Sequence, residues 1–160
     1  MSLNSALMFS KASDEWSTPQ DLFDDLDAEF HFQVDVAATA ANRKCDLYFG
    51  PDAGGPYTDA LTQDWNVGYP PWACWMNPPY SQCRAFIAKA AEEARKGCTV
   101  VALVPARTDT RWFHADVWDR EAHRPRPNVE VRFLKGRLTF GGASAGAPFP
   151  SVVIVFRPPA

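Results

Sequence analysis

One stretch decides the fold of this chain: Gln82-Cys-Arg-Ala-Phe-Ile-Ala-Lys-Ala-Ala-Glu-Glu-Ala-Arg-Lys-Gly-Cys-Thr-Val-Val-Ala-Leu-Val-Pro105. Its first part, residues 82–96, predicts a helix, because apolar residues recur at helical spacing and Gly97 stands where a C-terminal cap belongs. The apolar face consists of Phe86, Ile87, Ala90, Ala91 and Ala94. Residues 98–104 are continuously apolar, which is typical of a central parallel strand, and Pro105 is expected to end that strand.

The segments on either side continue this alternation of helix and strand. Upstream, Thr18 is expected to cap a helix that has Pro19 in its first position and ends at Phe30. Further strands are predicted at residues 32–37, 72–76, 129–134, 137–140 and 151–156, and a further helix at 110–118. The sequence therefore predicts an α/β protein with a mostly parallel central sheet and helices on both faces.

The composition excludes several classes of protein. Of the 160 residues, 46% are hydrophobic and 22% charged, which excludes wholesale disorder and predicts one domain, with a flexible segment at residues 1–15. No apolar run approaches the roughly 20 residues of a membrane span, and no secretory signal opens the chain. The four cysteines form no C-x-x-C pair. We therefore expect a cytoplasmic protein without a membrane partner and with reduced thiols.

One short motif carries the chemistry: Asn77-Pro78-Pro79-Tyr80, directly after the strand predicted at residues 72–76. Two prolines stiffen the loop and remove two N–H donors, so that its carbonyls can act as acceptors. The Asn77 side-chain oxygen and the Pro78 carbonyl could accept both N–H groups of an aromatic amine, while Tyr80 stacks on its ring. Such contacts position a poorly nucleophilic nitrogen and stabilise the positive charge that develops as it attacks.

Together with its surroundings, this motif gives the chain a family resemblance. The matching segments are Trp16-Ser-Thr-Pro19, Asp35-Val-Ala-Ala38, Asn42, Asp64-Trp65, Asn77-Pro-Pro-Tyr80, Leu103-Val-Pro-Ala-Arg-Thr-Asp-Thr-Arg-Trp-Phe-His114 and Gly136-Arg137. In this order they resemble the small phage-type DNA N6-adenine methyltransferases of the Dam-like group, from about residue 16 to residue 156. The resemblance implies a Rossmann-like methyltransferase fold in a single domain at residues 16–160, without a separate target-recognition domain.

The resemblance also implies the ligands and the site. S-adenosylmethionine would be the methyl donor, and adenine in double-stranded DNA, flipped out of the helix, would be the acceptor at Asn77, Pro78 and Tyr80. The donor would be bound by Thr18 and Pro19 near its methionine end, and by Asp64 and Trp65 at its adenine. The remaining donor contacts would come from the loop after the first strand, where Ala37 and Ala38 replace the usual glycines: Asp35, Ala37, Ala38 and Asn42. Phage origin would place the enzyme in the host cytoplasm.

The charge distribution indicates which half of the chain meets DNA. Residues 1–80 hold 3 Lys and Arg against 12 Asp and Glu, whereas residues 81–160 hold 13 against 7. The segment at residues 107–114 either caps the next helix or contacts DNA, and a proline-bearing basic loop follows it. The candidate DNA-binding residues are Arg107, Thr108, Arg111, Trp112, Arg124, Arg126 and Arg137.

Two alternatives to adenine methylation remain open at the level of the sequence. A planar amide or cytosine N4 is as poorly nucleophilic as adenine N6, so the motif also suits a methyltransferase acting on a protein glutamine or on cytosine. A DNA-binding module that has lost its activity is the second alternative, although the intact motif argues against it. No metal is expected, because the three histidines form no set of ligands with the cysteines.

Overall fold

A computed structural model describes residues 17–140 and 146–160 of the chain. The segment expected to be flexible, residues 1–15, lies outside these described residues. Within them, the helices are α1 (Gln20–Phe30) and α2 (Cys83–Arg95), accompanied by a π-helical turn at Phe113–Val117 and short 3-10 turns. The strands are β1 (Val34–Asp35), β2 (Leu47–Tyr48), β3 (Trp72–Met76), β4 (Cys98–Pro105), β5 (Trp118–Asp119), β6 (Arg124–Pro125), β7 (Val129–Phe133) and β8 (Ser151–Phe156).

Six of these strands form a sheet in the order β2-β1-β3-β4-β8-β7. The first four are parallel to one another, and β8 runs antiparallel to both β4 and β7. The predicted mixed α/β class and the mostly parallel sheet are confirmed. Because β1, β3 and β4 are parallel, the loops that follow them begin at the same edge of the sheet.

Alternate residues of the central strands enter two different apolar clusters, as the two-residue period of a strand requires. From β4, Val100 and Ala102 join the first cluster, whereas Val101 and Leu103 join the second. The apolar face predicted for α2 is packed in the first cluster, and Phe23 of α1 is buried in the second. Neither helix in the described part of the chain is long and apolar enough to cross a membrane.

The structure corrects several expectations about local structure. Residues 137–140 form no strand, because the backbone of Leu138 bonds to Ala147 and not to a strand of the sheet: the Leu138 carbonyl accepts a hydrogen bond from the Ala147 N–H at 2.8 Å. The helix expected at 110–118 is a helical turn that ends at Val117, and β5 begins at the next residue. The sequence does not predict strand β2, because a strand of only two residues shows no period.

The start of α1 also differs from the prediction. Pro19 occupies the N-cap position, and no side chain caps the helix. The Thr18 hydroxyl, the cap expected from the sequence, instead accepts a hydrogen bond from Asn77, just beyond β3. The segment before α1 is therefore tied to the end of the sheet rather than to its own helix.

Candidate active site

A cavity of about 340 Å³ lies where β1 and β3 end. Its walls come from the segment before α1, the loops after β1, β2 and β3, and the turn around Asp59. Six of the residues expected at the donor and acceptor sites line this cavity: Thr18, Asp35, Ala37, Ala38, Asn42 and Asn77. The structure thus brings together segments that are distant in sequence, at the edge where ligands of open α/β sheets bind.

Asp35 organises the loop after β1. Its buried carboxylate accepts hydrogen bonds from the backbone N–H groups of Ala37, at 3.2 Å, and Lys44, at 3.0 Å. Burial raises the pKa of Asp35 to about 6, and the two backbone hydrogen bonds act in the opposite direction. Asn42 closes the same loop, since its Oδ1 accepts the Thr39 N–H at 2.7 Å.

Gly50 allows two loops to meet in the wall of the cavity. The Ala38 N–H donates to the Phe49 carbonyl at 3.0 Å, which brings the loop after β1 against the loop after β2. A Cβ at position 50 would lie 1.6 Å from the Ala38 carbonyl oxygen, so only glycine fits here. The sequence alone does not single out Gly50, because the need for glycine arises from the Ala38 carbonyl, which only the folded chain brings close to it.

Asn77 and Thr18 form a contact inside the cavity. The Asn77 Nδ2 donates to the Thr18 Oγ1 at 3.0 Å, and Thr18 is only 4% exposed. In this arrangement the Asn77 side-chain oxygen lies on the side of the amide away from Nδ2. The contact joins the segment before α1 to the motif that follows β3.

The rest of the Asn77–Tyr80 motif lies beside the cavity. Pro79 lines it, whereas Pro78 is buried and Tyr80 begins a 3-10 turn that leads into α2. The Tyr80 ring packs edge-on against Phe149, with ring centroids 4.9 Å apart and an interplanar angle of 84°. Phe149 therefore helps to fix the orientation of Tyr80, which is itself half-buried.

The structure places the Asp64 carboxylate away from this cavity and buries Trp65 in the core behind the cavity wall. The Asp64 carboxylate pairs with Lys96 at 2.8 Å, which lowers the pKa of Asp64. Because Lys96 lies just before β4, the Asp64–Lys96 ion pair is near the amino ends of the strands, at the edge of the sheet opposite the cavity. Neither Asp64 nor Trp65 is among the residues that line the cavity, and neither is Pro19.

Asp59 is the acidic residue that the sequence analysis missed. It lines the cavity, and its Oδ1 accepts the Leu61 N–H at 3.0 Å at the start of a 3-10 turn. Trp65 supports that turn from behind, because its indole N–H donates to the Ala60 carbonyl at 2.9 Å. Its backbone N–H donates to the buried Glu93 carboxylate, also at 2.9 Å.

The candidate DNA-binding residues fall into two groups. Arg107, Arg111, Arg124 and Arg137 are exposed, and Arg107 and Thr108 line a second cavity of about 290 Å³ whose wall includes Phe149. Arg126, by contrast, is half-buried and donates to the His114 carbonyl at 2.6 Å. We correct the expectation for Trp112, because its side chain is buried in the first apolar cluster and cannot present a ring to DNA.

Among the described residues, the structure has no group of three or more His, Cys, Asp or Glu side chains that could hold a metal ion. The four cysteines are free and buried. Burial raises the pKa of the Cys45 thiol, where nearby carboxylates add to the effect, and of the Cys83 thiol, each to about 12. These two thiols are therefore protonated at neutral pH, and neither lines the cavity.

The chain is similar over most of its length to a described protein family. The sequence model of the family described as DNA N-6-adenine-methyltransferase (Dam) matches residues 6–158. A protein of Haemophilus phage HP1 (strain HP1c1), named DNA N-6-adenine-methyltransferase, is 28% identical over 156 residues, which cover 94% of this chain and 84% of the relative. A protein of Escherichia phage T1 with the same name is 30% identical over 101 residues, which cover 62% of this chain and only 39% of that relative.

Proposed function

The chain belongs to the DNA N-6-adenine-methyltransferase family, and on this premise we propose that it transfers a methyl group from S-adenosylmethionine to N6 of a flipped-out adenine in double-stranded DNA. The observation that carries this proposal is the position of Asn77 in the wall of the cavity at the ends of β1 and β3. We further propose a Rossmann-like arrangement with helices on both faces, formed by residues 16–160 as one domain. The two apolar clusters, one with α2 and one with α1, support this arrangement.

The residues around the cavity fit S-adenosylmethionine. The volume of about 340 Å³ falls within the range of small-molecule sites, roughly 300–1,000 Å³. The close approach at Gly50 and the small side chains of Ala37 and Ala38 leave room that a larger side chain would fill. We assign the contact with the amine of the donor's adenine to Asp59 rather than Asp64, since only Asp59 reaches the cavity. When bound, S-adenosylmethionine supplies an electrophilic methyl group on a sulfonium.

The acceptor amine is held by the Asn77–Tyr80 motif. The Asn77 side-chain oxygen and the Pro78 carbonyl accept its two N–H groups, which orients the nitrogen lone pair for attack. The same two acceptors stabilise the positive charge that develops on the nitrogen, so the amine needs no deprotonation beforehand. The transfer would break the bond between the methyl carbon and the sulfonium sulfur and leave S-adenosylhomocysteine, and the nitrogen would lose one proton to water.

Tyr80 and the exposed arginines place the DNA. The adenine stacks on the Tyr80 ring, which Phe149 supports from the side. Flipping the base out of the duplex costs a few kcal/mol, which stacking and the two hydrogen bonds offset. Arg107 lies beside Phe149 at the second cavity, and Arg111, Arg124 and Arg137 are available to phosphate groups.

Product identification tests the proposal. The protein is incubated with isotope-labelled S-adenosylmethionine and unmethylated duplex DNA, the DNA is digested to nucleosides, and the labelled nucleoside is identified by mass spectrometry. We expect N6-methyladenine from the wild-type protein and from Asn66→Ala, an exposed asparagine outside the cavity, and none from Asn77→Ala. Labelled N4-methylcytosine would identify a different base as the acceptor. Retained donor binding with no labelled nucleoside would point to an acceptor other than DNA.

A further inference from the structure

Lys44 brings a positive charge to the wall of the donor cavity. Of the described residues that line this cavity, only Lys44 has a basic side chain, whereas Asp35 and Asp59 bear carboxyl groups. The Lys44 backbone N–H donates to the buried Asp35 carboxylate at 3.0 Å, which fixes the base of its side chain. Its ammonium Nζ donates to the side-chain oxygen of Gln20, the first residue of α1, at 2.8 Å. The side chain therefore extends from the loop after β1 to the start of α1.

No carboxylate in the described part of the chain forms an ion pair with this ammonium. Lys44 takes part in none of the ion pairs within residues 17–140 and 146–160, and its partner Gln20 is a neutral amide. Lys96, by contrast, pairs with three carboxylates. Because an ammonium has three N–H donors, the bond to Gln20 leaves donors for a ligand. A half-buried cation without an anion, beside a cavity, indicates a ligand that brings its own negative charge.

The two ends of the proposed donor need different partners. S-adenosylmethionine has an amine on its adenine and a carboxylate on its methionine part. A carboxylate that enters this cavity is repelled by Asp35 and Asp59, and burying its charge is costly unless a cation pairs with it. Asp59, proposed for the adenine amine, belongs to the turn before β3, whereas Lys44 reaches the start of α1. The two ends therefore have separate polar partners of the right sign.

We propose that Lys44 binds the carboxylate of the methyl donor and selects for donors that carry one. This role rests on the proposed function, since it takes S-adenosylmethionine as the donor, and it adds the group that the donor must present. The ammonium forms a charge-assisted hydrogen bond with the carboxylate, and the Gln20 amide holds the ammonium in place beforehand. The consequence falls on the affinity and selectivity for the donor, not on the acceptor.

Two ligands that differ only in the carboxylate test the proposal: S-adenosylhomocysteine and decarboxylated S-adenosylhomocysteine. Calorimetry gives the Kd of each without DNA. We expect Lys44→Gln to weaken binding of S-adenosylhomocysteine about tenfold, and binding of the decarboxylated compound by no more than about twofold. Lys44→Arg keeps the charge and should stay within about threefold of the wild type for both compounds. Lys135→Gln, an exposed lysine outside the cavity, is the control and should change neither Kd.

Three results would overturn the proposal. The first is an unchanged Kd for S-adenosylhomocysteine in Lys44→Gln. The second is an equal loss of affinity for both compounds, which would mean that Lys44 supports the cavity wall, for example through Asp35, without contacting the carboxylate. The third is a wild-type protein that binds the two compounds equally well. If Lys44→Gln does not fold, Lys44→Met takes its place in the same comparison.

These binding measurements separate the role of Lys44 from the choice of methyl acceptor, because they need no methyl transfer. If the Lys44→Gln loss depends on the carboxylate while the wild type methylates no DNA, the role of Lys44 is supported and adenine in DNA is rejected as the acceptor. A wild-type protein that binds neither compound would overturn both the role of Lys44 and S-adenosylmethionine as the donor.

Discussion

The donor cavity and the arginine-bearing surface of this protein are built in opposite ways. The cavity wall is held by buried groups and backbone hydrogen bonds, such as those that the Asp35 carboxylate accepts from Ala37 and Lys44. The surface proposed for DNA consists of exposed side chains, among them Arg111 at the start of the helical turn and Arg124 of β6. The difference implies that single changes should have severe effects in the cavity and small, additive effects on the surface.

The largest expected effect comes from Gly50→Ala. Because a Cβ would lie 1.6 Å from the Ala38 carbonyl oxygen, the two loops must separate. We expect donor binding, measured by calorimetry, to weaken at least about 100-fold. This factor corresponds to about 3 kcal/mol, the upper part of the usual range for overpacking a well-packed site. DNA binding should stay within about threefold of the wild type.

Gly54→Ala is the matched control for Gly50→Ala. Gly54 has a φ of 79°, and no neighbouring atom lies within 4 Å of the position that a Cβ would take, so the substitution adds backbone strain without a clash. It should lower stability while leaving donor affinity close to that of the wild type. Equal losses of donor affinity in the two variants would mean that the close approach of Gly50 to Ala38 is not needed for donor binding.

The second prediction concerns the pH dependence of stability through Asp35. Burial raises the pKa of Asp35 from 3.8 to about 6. The folded protein therefore binds this proton more tightly than the unfolded chain, and the associated stability is present below pH 3.8 and lost as the pH rises through 6. Between pH 7 and pH 4, the free energy of unfolding of the wild type should gain up to about 3 kcal/mol relative to Asp35→Asn.

Urea unfolding at both pH values checks this prediction, and Asp64→Asn is the control of opposite sign. The Lys96 pair lowers the pKa of Asp64, so its contribution is present at neutral pH and lost on acidification. The wild type should therefore lose stability relative to Asp64→Asn as the pH falls. A difference between wild type and Asp35→Asn that does not change with pH would show that the carboxylate is not buried as the structure has it.

The third prediction compares Asp59 with Asp64 as donor contacts. Asp59 lines the cavity, whereas Asp64 pairs with Lys96 near the amino ends of the strands. We expect Asp59→Asn to weaken donor binding about tenfold, through loss of a charge-assisted hydrogen bond. Asp64→Asn should change it less than about twofold. The reverse order in equilibrium dialysis would return the role to Asp64.

The smallest predicted effects belong to the exposed arginines. Arg111→Ala and Arg124→Ala should each weaken DNA binding a few-fold and reduce the slope of log K against log salt by about 1. Arg95→Ala, an exposed arginine at the far end of α2, is the control and should change neither quantity. Fluorescence anisotropy at several salt concentrations gives both values. An unchanged salt slope in the first two variants would place the DNA on another surface.

The same contrast explains which parts of the fold the sequence could predict. The helix and strand at residues 82–104 follow from periodicity, because α2 buries one face and β4 is buried on both. The sequence also predicts Asn77 as a site residue, because the two prolines that follow it make a stiff loop. Local signals such as these survive tertiary packing, because the packed structure uses the same apolar positions that the sequence shows.

Tertiary contacts decided what the sequence could not predict. The sequence around Asp59 and Asp64 does not show which of the two reaches the cavity. In the folded chain the Glu93 carboxylate fixes Trp65 behind the turn, and Asp59 lines the cavity. Gly50 matters only because Ala38 packs against it. Trp112 stands close to two exposed arginines in the sequence, but the helical turn directs its side chain into the core.

The central claim is that donor and acceptor meet at Asn77, with separate groups binding each. The most direct measurement determines the donor Kd and the single-turnover rate of DNA methylation for Asn77→Ala beside the wild type. We predict a donor Kd within about threefold of the wild type and a rate at least about 1,000-fold lower, as expected when a positioned hydrogen-bond acceptor at the reacting nitrogen is lost. A rate close to that of the wild type would contradict the account.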